Sequence, residues 1–359
     1  MIPNFYLHED TYRYDFGPQH PLRPERLQRT MALIEHFTGP TIATSEYATD
    51  SDLERVHSRE YIDAVKQVDD AVARGDHGED EILELRSLYG FWGDNPPFAG
   101  MDLAARAYAG ASAAAARAVR DGARLAFGIG GGLHHALRAK ASGFCIYNDC
   151  AIACSILREK FDRVAYVDID VHHGDGVQWI FYEDPSVLTC SIHESGRTLW
   201  PGTGGVEETG VDFTSLNIPV EAGTTGDVWL WAFREGIMPV LQAWKPEAIV
   251  LQTGTDTHYL DPLAHVNSTQ QDWLAAILDV RNLGLPMVVL GGGGYNLTTV
   301  PRMWASSVLA LSGVTYADEI PASLAAEVGA TTFSDHAPLR FGVGRDHAEA
   351  VLKQLRRRT

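Results

Sequence analysis

The stretch from Val164 to Val177, Val-Ala-Tyr-Val-Asp-Ile-Asp-Val-His-His-Gly-Asp-Gly-Val, constrains the fold of this chain more than any other. Its first half is apolar and β-branched, the pattern of a strand covered on both faces. Its second half sets Asp168, Asp170, His172, His173 and Asp175 within eight residues. Burying so many ionisable groups costs on the order of several kcal/mol apiece unless they are paired or bound to a cation. Alternation along an extended chain puts Asp168, Asp170 and His172 on one side. Carboxylates and an imidazole converging at a strand end suit a divalent metal, most simply zinc with one position left open.

The rest of the chain repeats this strand-then-helix rhythm. Expected strands are Phe5–His8, Thr41–Tyr47, Arg124–Ile129, Val164–Val171, Val187–Ile192, Ser215–Val220, Ala248–Gln252 and Pro286–Leu290. Expected helices are Pro21–Phe37, Ser58–Val72, the alanine-rich Met101–Arg120, Asp149–Phe161, Gly176–Tyr182, Thr225–Trp244, Thr269–Leu283 and Leu297–Leu311. Gly75–Asp80 and the proline-bearing Gly90–Gly100 read as loops. Such alternation favours a parallel sheet with helices on both faces. No internal repeat and no linker divides the chain, so residues 1–359 are expected to form one domain.

In sheets of this kind, sites form beyond the carboxyl ends of the strands. Each polar cluster follows an expected strand: His134-His135, Asp168 to Asp175, His193-Glu194, Asp256 and Gly291 to Tyr295. They are therefore expected to face one another. The glycine runs Gly128–Leu133 and Gly291–Asn296 lack the last glycine of a dinucleotide fingerprint, and no phosphate-loop Gly-Lys-Ser/Thr occurs. Close backbone approach beside a pocket is the simpler account.

Charge and cysteine usage exclude other classes. A net charge of −18 argues against nucleic-acid or anionic-membrane binding, and the basic Arg356-Arg357-Arg358 reads as a frayed end. Cys145, Cys150, Cys154 and Cys190 form no Cys-x-x-Cys pair, so buried reduced thiols in a cytoplasmic protein are expected. The amino terminus has neither a basic n-region nor an apolar h-region, so export is not expected. No apolar run approaches the ~20 residues of a membrane span.

Taken together, several segments resemble the histone deacetylase superfamily, especially its bacterial acetoin-utilisation (AcuC-type) branch near the class I enzymes. They are Gly131–Ala136, Gly143–Asp149, Asp168–Gly176, Pro201–Gly204, Gly254–Asp256 and Gly291–Tyr295, in the family's order. The resemblance implies an arginase/deacetylase α/β fold with a mainly parallel sheet of about eight strands. It also implies a zinc-dependent lysine deacetylase acting on acylated lysine in proteins. The zinc ligands fall on Asp170, His172 and Asp256; two carboxylates make the site oxygen-rich, so Fe(II) fits as well. His134 and His135 match tandem catalytic histidines paired with carboxylates at Asp168 and Asp175. His135 is then the base that takes the water's proton, and its neighbours help protonate the departing amine. Tyr295 matches the tyrosine that donates to the substrate carbonyl.

The same resemblance lines an acyl-lysine tunnel with Gly143, Phe144 and Trp200, the last at a position where class I relatives commonly carry Phe. Asp94 falls on the rim aspartate that binds the substrate backbone. A structural potassium is implied near zinc at Asp168, Asp170, His172, Ser191 and Ile192, and hydroxamate inhibitors are expected to bind zinc. Acetylpolyamine deacetylation is the nearest alternative; relatives with that activity can carry Glu where this chain has Leu263. A two-manganese ureohydrolase would need an Asp-x-Asp pair where this chain has Gly254 and Asp256. A non-catalytic acyl-lysine reader would be expected to lose His135 or Tyr295, and both are present. Oligomeric state is left open.

Overall fold

The computed structural model describes residues 2, 4–40, 43–76, 78, 80–336 and 340–357. Its strands are β1 (Tyr6–Leu7), β2 (Ala43–Thr44), β3 (Leu125–Gly128), β4 (Val164–Asp168), β5 (Val187–Glu194), β6 (Ser215–Val220), β7 (Ala248–Gln252) and β8 (Met287–Leu290). Its helices are α1 (Glu25–Thr38), α2 (Asp50–Leu53), α3 (Arg59–Arg74), α4 (Asp80–Tyr89), α5 (Met101–Arg120), α6 (Asp149–Leu157), α7 (Asp175–Phe181), α8 (Gly226–Trp244), α9 (Gln270–Arg281), α10 (Thr299–Leu311), α11 (Ala322–Val328) and α12 (Arg345–Leu355).

Six strands form one parallel sheet in the order β3-β8-β7-β4-β5-β6. The expected sheet of about eight strands is corrected to six among the described residues. β1 and β2 pair separately, joined to the sheet's edge through the single bridge Phe5↔Phe127. Thr41 and Ile42, expected to begin β2's strand, lie outside the described residues, as do His77 and Glu79 of the Gly75–Asp80 loop.

The period-two alternation of the strands divides the interior. Ala165, Val167, Ile249, Leu251, Met287 and Val289 face a core with Trp229, Trp273 and Trp304. Their neighbours Val164, Tyr166, Ala248, Val250, Val288 and Leu290 face a second core with Tyr61, Tyr108 and Cys150. The sheet is thus covered on both faces, which is why its strands read as continuous apolar runs. All four cysteines are free and buried. Among the described residues, no helix is long and apolar enough to cross a membrane.

Two points at the periphery add to the reading of the sequence. Asp80–Tyr89, between the two expected loops, is a helix that the sequence expectations do not include; Ile82 is buried in it, and Leu85 and Tyr89, three and seven positions on, pack partly buried against the second core. The basic tail is not frayed throughout: Arg356 caps the end of α12, and its Nη2 pairs with Glu235 at 3.1 Å. Arg358 lies outside the described residues.

Gly110, inside α5, permits the closest helix approach to the 46–48 segment. A Cβ there would stand 2.0 Å from Glu46 O and 2.8 Å from Ala48 N. Alanine would gain about 1 kcal/mol of helix propensity, but overpacking against backbone costs about 1–3 kcal/mol. The clash wins because backbone cannot swing aside as a side chain can. Gly110→Ala is expected to lower the melting temperature by a few degrees in a thermal scan. A higher melting temperature would show that the 46–48 segment yields freely.

Candidate active site

The order of the sheet creates the crevice. From β4 the chain builds outward through β5 and β6, then returns to β4's other side for β7 and β8. The switch in direction falls between β4 and β7, where ligand sites of open parallel sheets form. The segments leaving these two strands carry Asp170 and His172 on one side and Asp256 on the other. β8 delivers Gly291–Tyr295 and β3 delivers His134-His135 to the same end.

One donor atom from each of Asp170, His172 and Asp256 lies within 4.8 Å of the others, and all three residues are buried. His172 Nδ1 is 3.2 Å from Asp170 Oδ1 and 3.0 Å from Asp256 Oδ2. The carboxylates are aimed by surrounding N–H groups. Gln252 Nε2 donates to Asp170 Oδ2 at 2.7 Å, Gly293 N to the same oxygen at 2.8 Å, and Val171 N to Asp256 Oδ1 at 2.9 Å. Burial opposes ionisation of Asp170, yet His134 and His172 more than offset it and hold its carboxyl well below the usual range. Burial, then the charge of Asp170, pushes Asp256 up to about 7. Two fully buried carboxylates that resist joint ionisation, with an imidazole beside them, fit a divalent cation. A Cβ at Gly254 would lie 2.0 Å from Asp170 Oδ2, so the space for a further carboxylate is already filled.

The histidines stand beside this cluster. His134 Nδ1 is 2.7 Å from Asp168 Oδ2, and His135 Nδ1 is 2.7 Å from Asp175 Oδ1. Their Nε2 atoms are 2.9 Å apart. Burial alone would lower His134, but Asp168 and Asp170 outweigh it and raise it to about 9. Burial, then the neighbouring His134 and His172, hold His135 well below the ordinary value. The surroundings thus favour the charged form of His134 and the neutral form of His135. Burial pushes Asp175 up to about 6 against the opposing pull of His173 and His134.

A cavity of about 190 Å³ reaches this cluster, lined by Asp94, His135, Gly143, Phe144, His172, Leu199, Trp200, Leu263 and Tyr295. Its walls are largely apolar, with Tyr295 at edge-on contact distance from Phe144 (5.6 Å between centroids) and Trp200 similarly set against His135 (4.5 Å). Gly143 leaves room for both, since a Cβ would stand 2.5 Å from His135 Cδ2 and from Trp200 Cη2. Phe144 adopts a left-handed φ of 67°, a conformation costing about 1–2 kcal/mol outside glycine. Tyr14 Oη donates to Phe144 O at 2.7 Å and accepts from Ile146 N at 3.2 Å, which braces that turn. Burial, then Asp256 and Asp170, push the Tyr295 phenol well above its usual value, so it remains a donor.

Not every expected residue joins the cluster. β4 leaves its ladder at Asp168, short of the expected Val171, and Asp168 faces His134 rather than the ligand atoms of Asp170 and His172. His193 and Glu194 lie within β5 and serve other contacts: His193 Nε2 meets Gly204 O at 3.0 Å, and Glu194 accepts from Thr198, His265 N and His265 Nδ1. Ser191 sits directly beside Asp168 in the β4–β5 register, with Ile192 next along. Tyr14, Arg26, Gln252 and Asp261, all at or behind the site, escape a reading of the sequence. Each acts through partners far away in the chain, and no local pattern marks it.

Known proteins resemble this chain in both sequence and fold. The family model described as "Histone deacetylase domain" matches residues 20–311. The acetoin utilization protein AcuC of Bacillus subtilis is 39% identical over 336 residues, covering 89% of this chain and 85% of that protein. Histone deacetylase clr6 of Schizosaccharomyces pombe is 33% identical, covering 89% of this chain and 78% of its own. The crystal structure of an HDAC homologue from Aquifex aeolicus superposes with a TM-score of 0.88 at 27% identity, covering 98% of this chain and 99% of that one. An HDAC homologue complexed with SAHA gives a TM-score of 0.89 at the same identity and coverage.

Proposed function

This chain belongs to the histone deacetylase family, and from that premise we propose that it removes acetyl or related acyl groups from the ε-amine of lysine in proteins, with zinc as its metal. One observation carries the reading: three buried metal-type donors and a pair of carboxylate-bound histidines stand together where a largely apolar cavity reaches His135 and His172. The reading takes residues 1–359 as one catalytic domain, working in the cytoplasm with its thiols reduced.

Asp170, His172 and Asp256 would hold the zinc, which supplies Lewis acidity toward water and the amide carbonyl; Fe(II) suits the same donors. Two carboxylate donors acidify water less than three neutral imidazoles would, so the attacking water needs a base. His135 accepts that proton at Nε2, held in the right tautomer by Asp175. His134, charged and paired with Asp168, gives a proton toward the departing amine. Tyr295 donates its phenolic hydrogen to the carbonyl oxygen as negative charge grows there. Phe144, Trp200, Gly143 and Leu263 enclose the lysine stem, and Asp94 at the rim takes the substrate's backbone. A structural potassium at Asp168, Asp170, His172, Ser191 and Ile192 belongs to the same proposal, as does inhibition by hydroxamates, supported by the SAHA complex of the similar HDAC homologue.

The substrate class turns on Leu263. It lines the tunnel and offers no charge to a second ammonium, so acyl-lysine in a peptide is preferred over acetylpolyamines. Placing a carboxylate ~4 Å from a cation at an effective dielectric near 20 is worth up to about 4 kcal/mol before desolvation. Leu263→Glu should therefore move preference toward acetylspermidine. The check is kcat/KM for an acetyl-lysine peptide and acetylspermidine in both proteins. If the unaltered enzyme already favours acetylspermidine by about tenfold, a difference of some 1.4 kcal/mol, the protein-substrate reading falls to the polyamine one.

A further inference from the structure

We propose that Asp261 is a positioning residue that sets the phenol of Tyr295 and couples it to the tunnel wall at Leu263; this rests on the role given to Tyr295 above. Tyr295 follows four consecutive glycines, Gly291–Gly294, and two of them, Gly292 and Gly294, have φ of 147° and 125°. Glycine loses more freedom on ordering than any other residue, so this segment cannot hold a ring in place by itself.

Gly291 and Gly293 are tied to Thr253, Thr255 and Asp170, and two further restraints act on the stretch that reaches Tyr295. Behind the segment, Arg26 Nη1 donates to Gly292 O at 2.9 Å and to Gly294 O at 3.0 Å, with its guanidinium 5.0 Å from the Trp304 ring centroid. On the other side, Tyr295 N donates to Asp261 Oδ2 at 2.8 Å. The second oxygen, Oδ1, accepts from Leu263 N at 2.9 Å. A single carboxylate, only 8% exposed, thus takes one N–H from each of two loops whose side chains line the same tunnel. Asn296 Nδ2 to Leu260 O, at 3.0 Å, adds a second tie between these loops. Hydrogen bonds to an ionised acceptor are shorter and roughly twice as strong as neutral ones. Asparagine would accept from only one of the two N–H groups and present its own NH₂ to the other.

The test is a double-mutant cycle on metal-loaded enzyme with an acetyl-lysine peptide. Asp261→Asn is expected to lower kcat by roughly tenfold or more, since misplacement by ~1 Å can cost about a hundredfold. KM and metal content should change little. In a Tyr295→Phe background the same substitution should lower kcat by less than about twofold, because no hydroxyl remains to be misplaced. Equal factors in both backgrounds would show that Asp261 does not act through Tyr295 and would overturn the proposal. If Tyr295→Phe alone turns over normally, it is the role of Tyr295 that fails. Should the asparagine variant not fold, Asp261→Glu goes through the same cycle with the same deciding outcome. In the unsubstituted enzyme, hydrogen exchange should find the Tyr295 amide protected although it lies in a loop. Rapid exchange there also overturns the proposal.

Discussion

Asp256→Ala is expected to abolish amide hydrolysis, and His172→Ala to do the same, because each leaves the metal with two protein donors. Catalytic zinc sites keep three protein ligands and an open position, and among the described residues no further His, Cys, Asp or Glu joins this cluster. Asp168, the nearest other carboxylate in the chain segment, is committed through Oδ2 to both His134 and Tyr166 at 2.7 Å. The Asp170 carboxylate is likewise occupied by Gln252, Gly293 and His172. Neither can turn to make good the loss without stranding a buried donor, which costs about 1–3 kcal/mol. Metal analysis of the purified variants decides the matter when paired with near-UV circular dichroism to show intact packing. Full zinc occupancy in both variants would refute the ligand set.

Tyr295→Phe should retain both metal and fold while slowing turnover by ~10²–10³-fold, the usual effect of removing one oxyanion donor. The ring's contacts are those of a phenyl group: Phe144 at 5.6 Å and His172 at 6.4 Å, both edge-on. The loop itself is held through backbone groups, by Asp261 at Tyr295 N and by Arg26 at the flanking glycine carbonyls. What the substitution removes is therefore the hydroxyl alone. KM should move far less than kcat, and a hydroxamate should still bind, since its hold depends chiefly on the metal. Near-normal kcat on an acetyl-lysine peptide would show that Tyr295 is not the oxyanion donor.

Much of the site was legible because its residues come in short, dense runs. Val164–Asp168 reads as a buried strand from its own apolar pattern, and the ionisable groups that follow it announce a site by their improbability in a core. Met101–Arg120 and Ser215–Val220 are legible to the residue, since alanine composition in one and apolar alternation in the other leave no competing pattern. The glycine runs were rightly read as close approach: a Cβ at Gly132 would lie 2.4 Å from Gly291 C. The residues that were not legible share another property. Gln252, Arg26, Tyr14 and Asp261 look like an ordinary strand-end amide, helix arginine, aromatic and turn aspartate. Their importance lies in partners such as Gly292 and Phe144, 266 and 130 residues away respectively for Arg26 and Tyr14.

By itself, then, the sequence determined the strands of the sheet, the long helices that cover it and which chemical groups arrive at the strand ends, while the shorter α2, α4, α11 and α12 went unread. Those properties depend on neighbours two to four residues apart, and local periodicity records them. Only the tertiary structure decided how the groups combine. It set six strands in one sheet and left β1 and β2 apart, and it put the reversal of strand order between β4 and β7. It gave Asp168 to His134 while Asp170 met Asp256, although alternation alone had treated Asp168 and Asp170 alike. Val171 N bonds Asp256 Oδ1 across 85 residues of chain. Such pairings are chosen by the sheet order, the crossover helices and the room left by glycines such as Gly254, and none of these is written in the residues adjacent to the site.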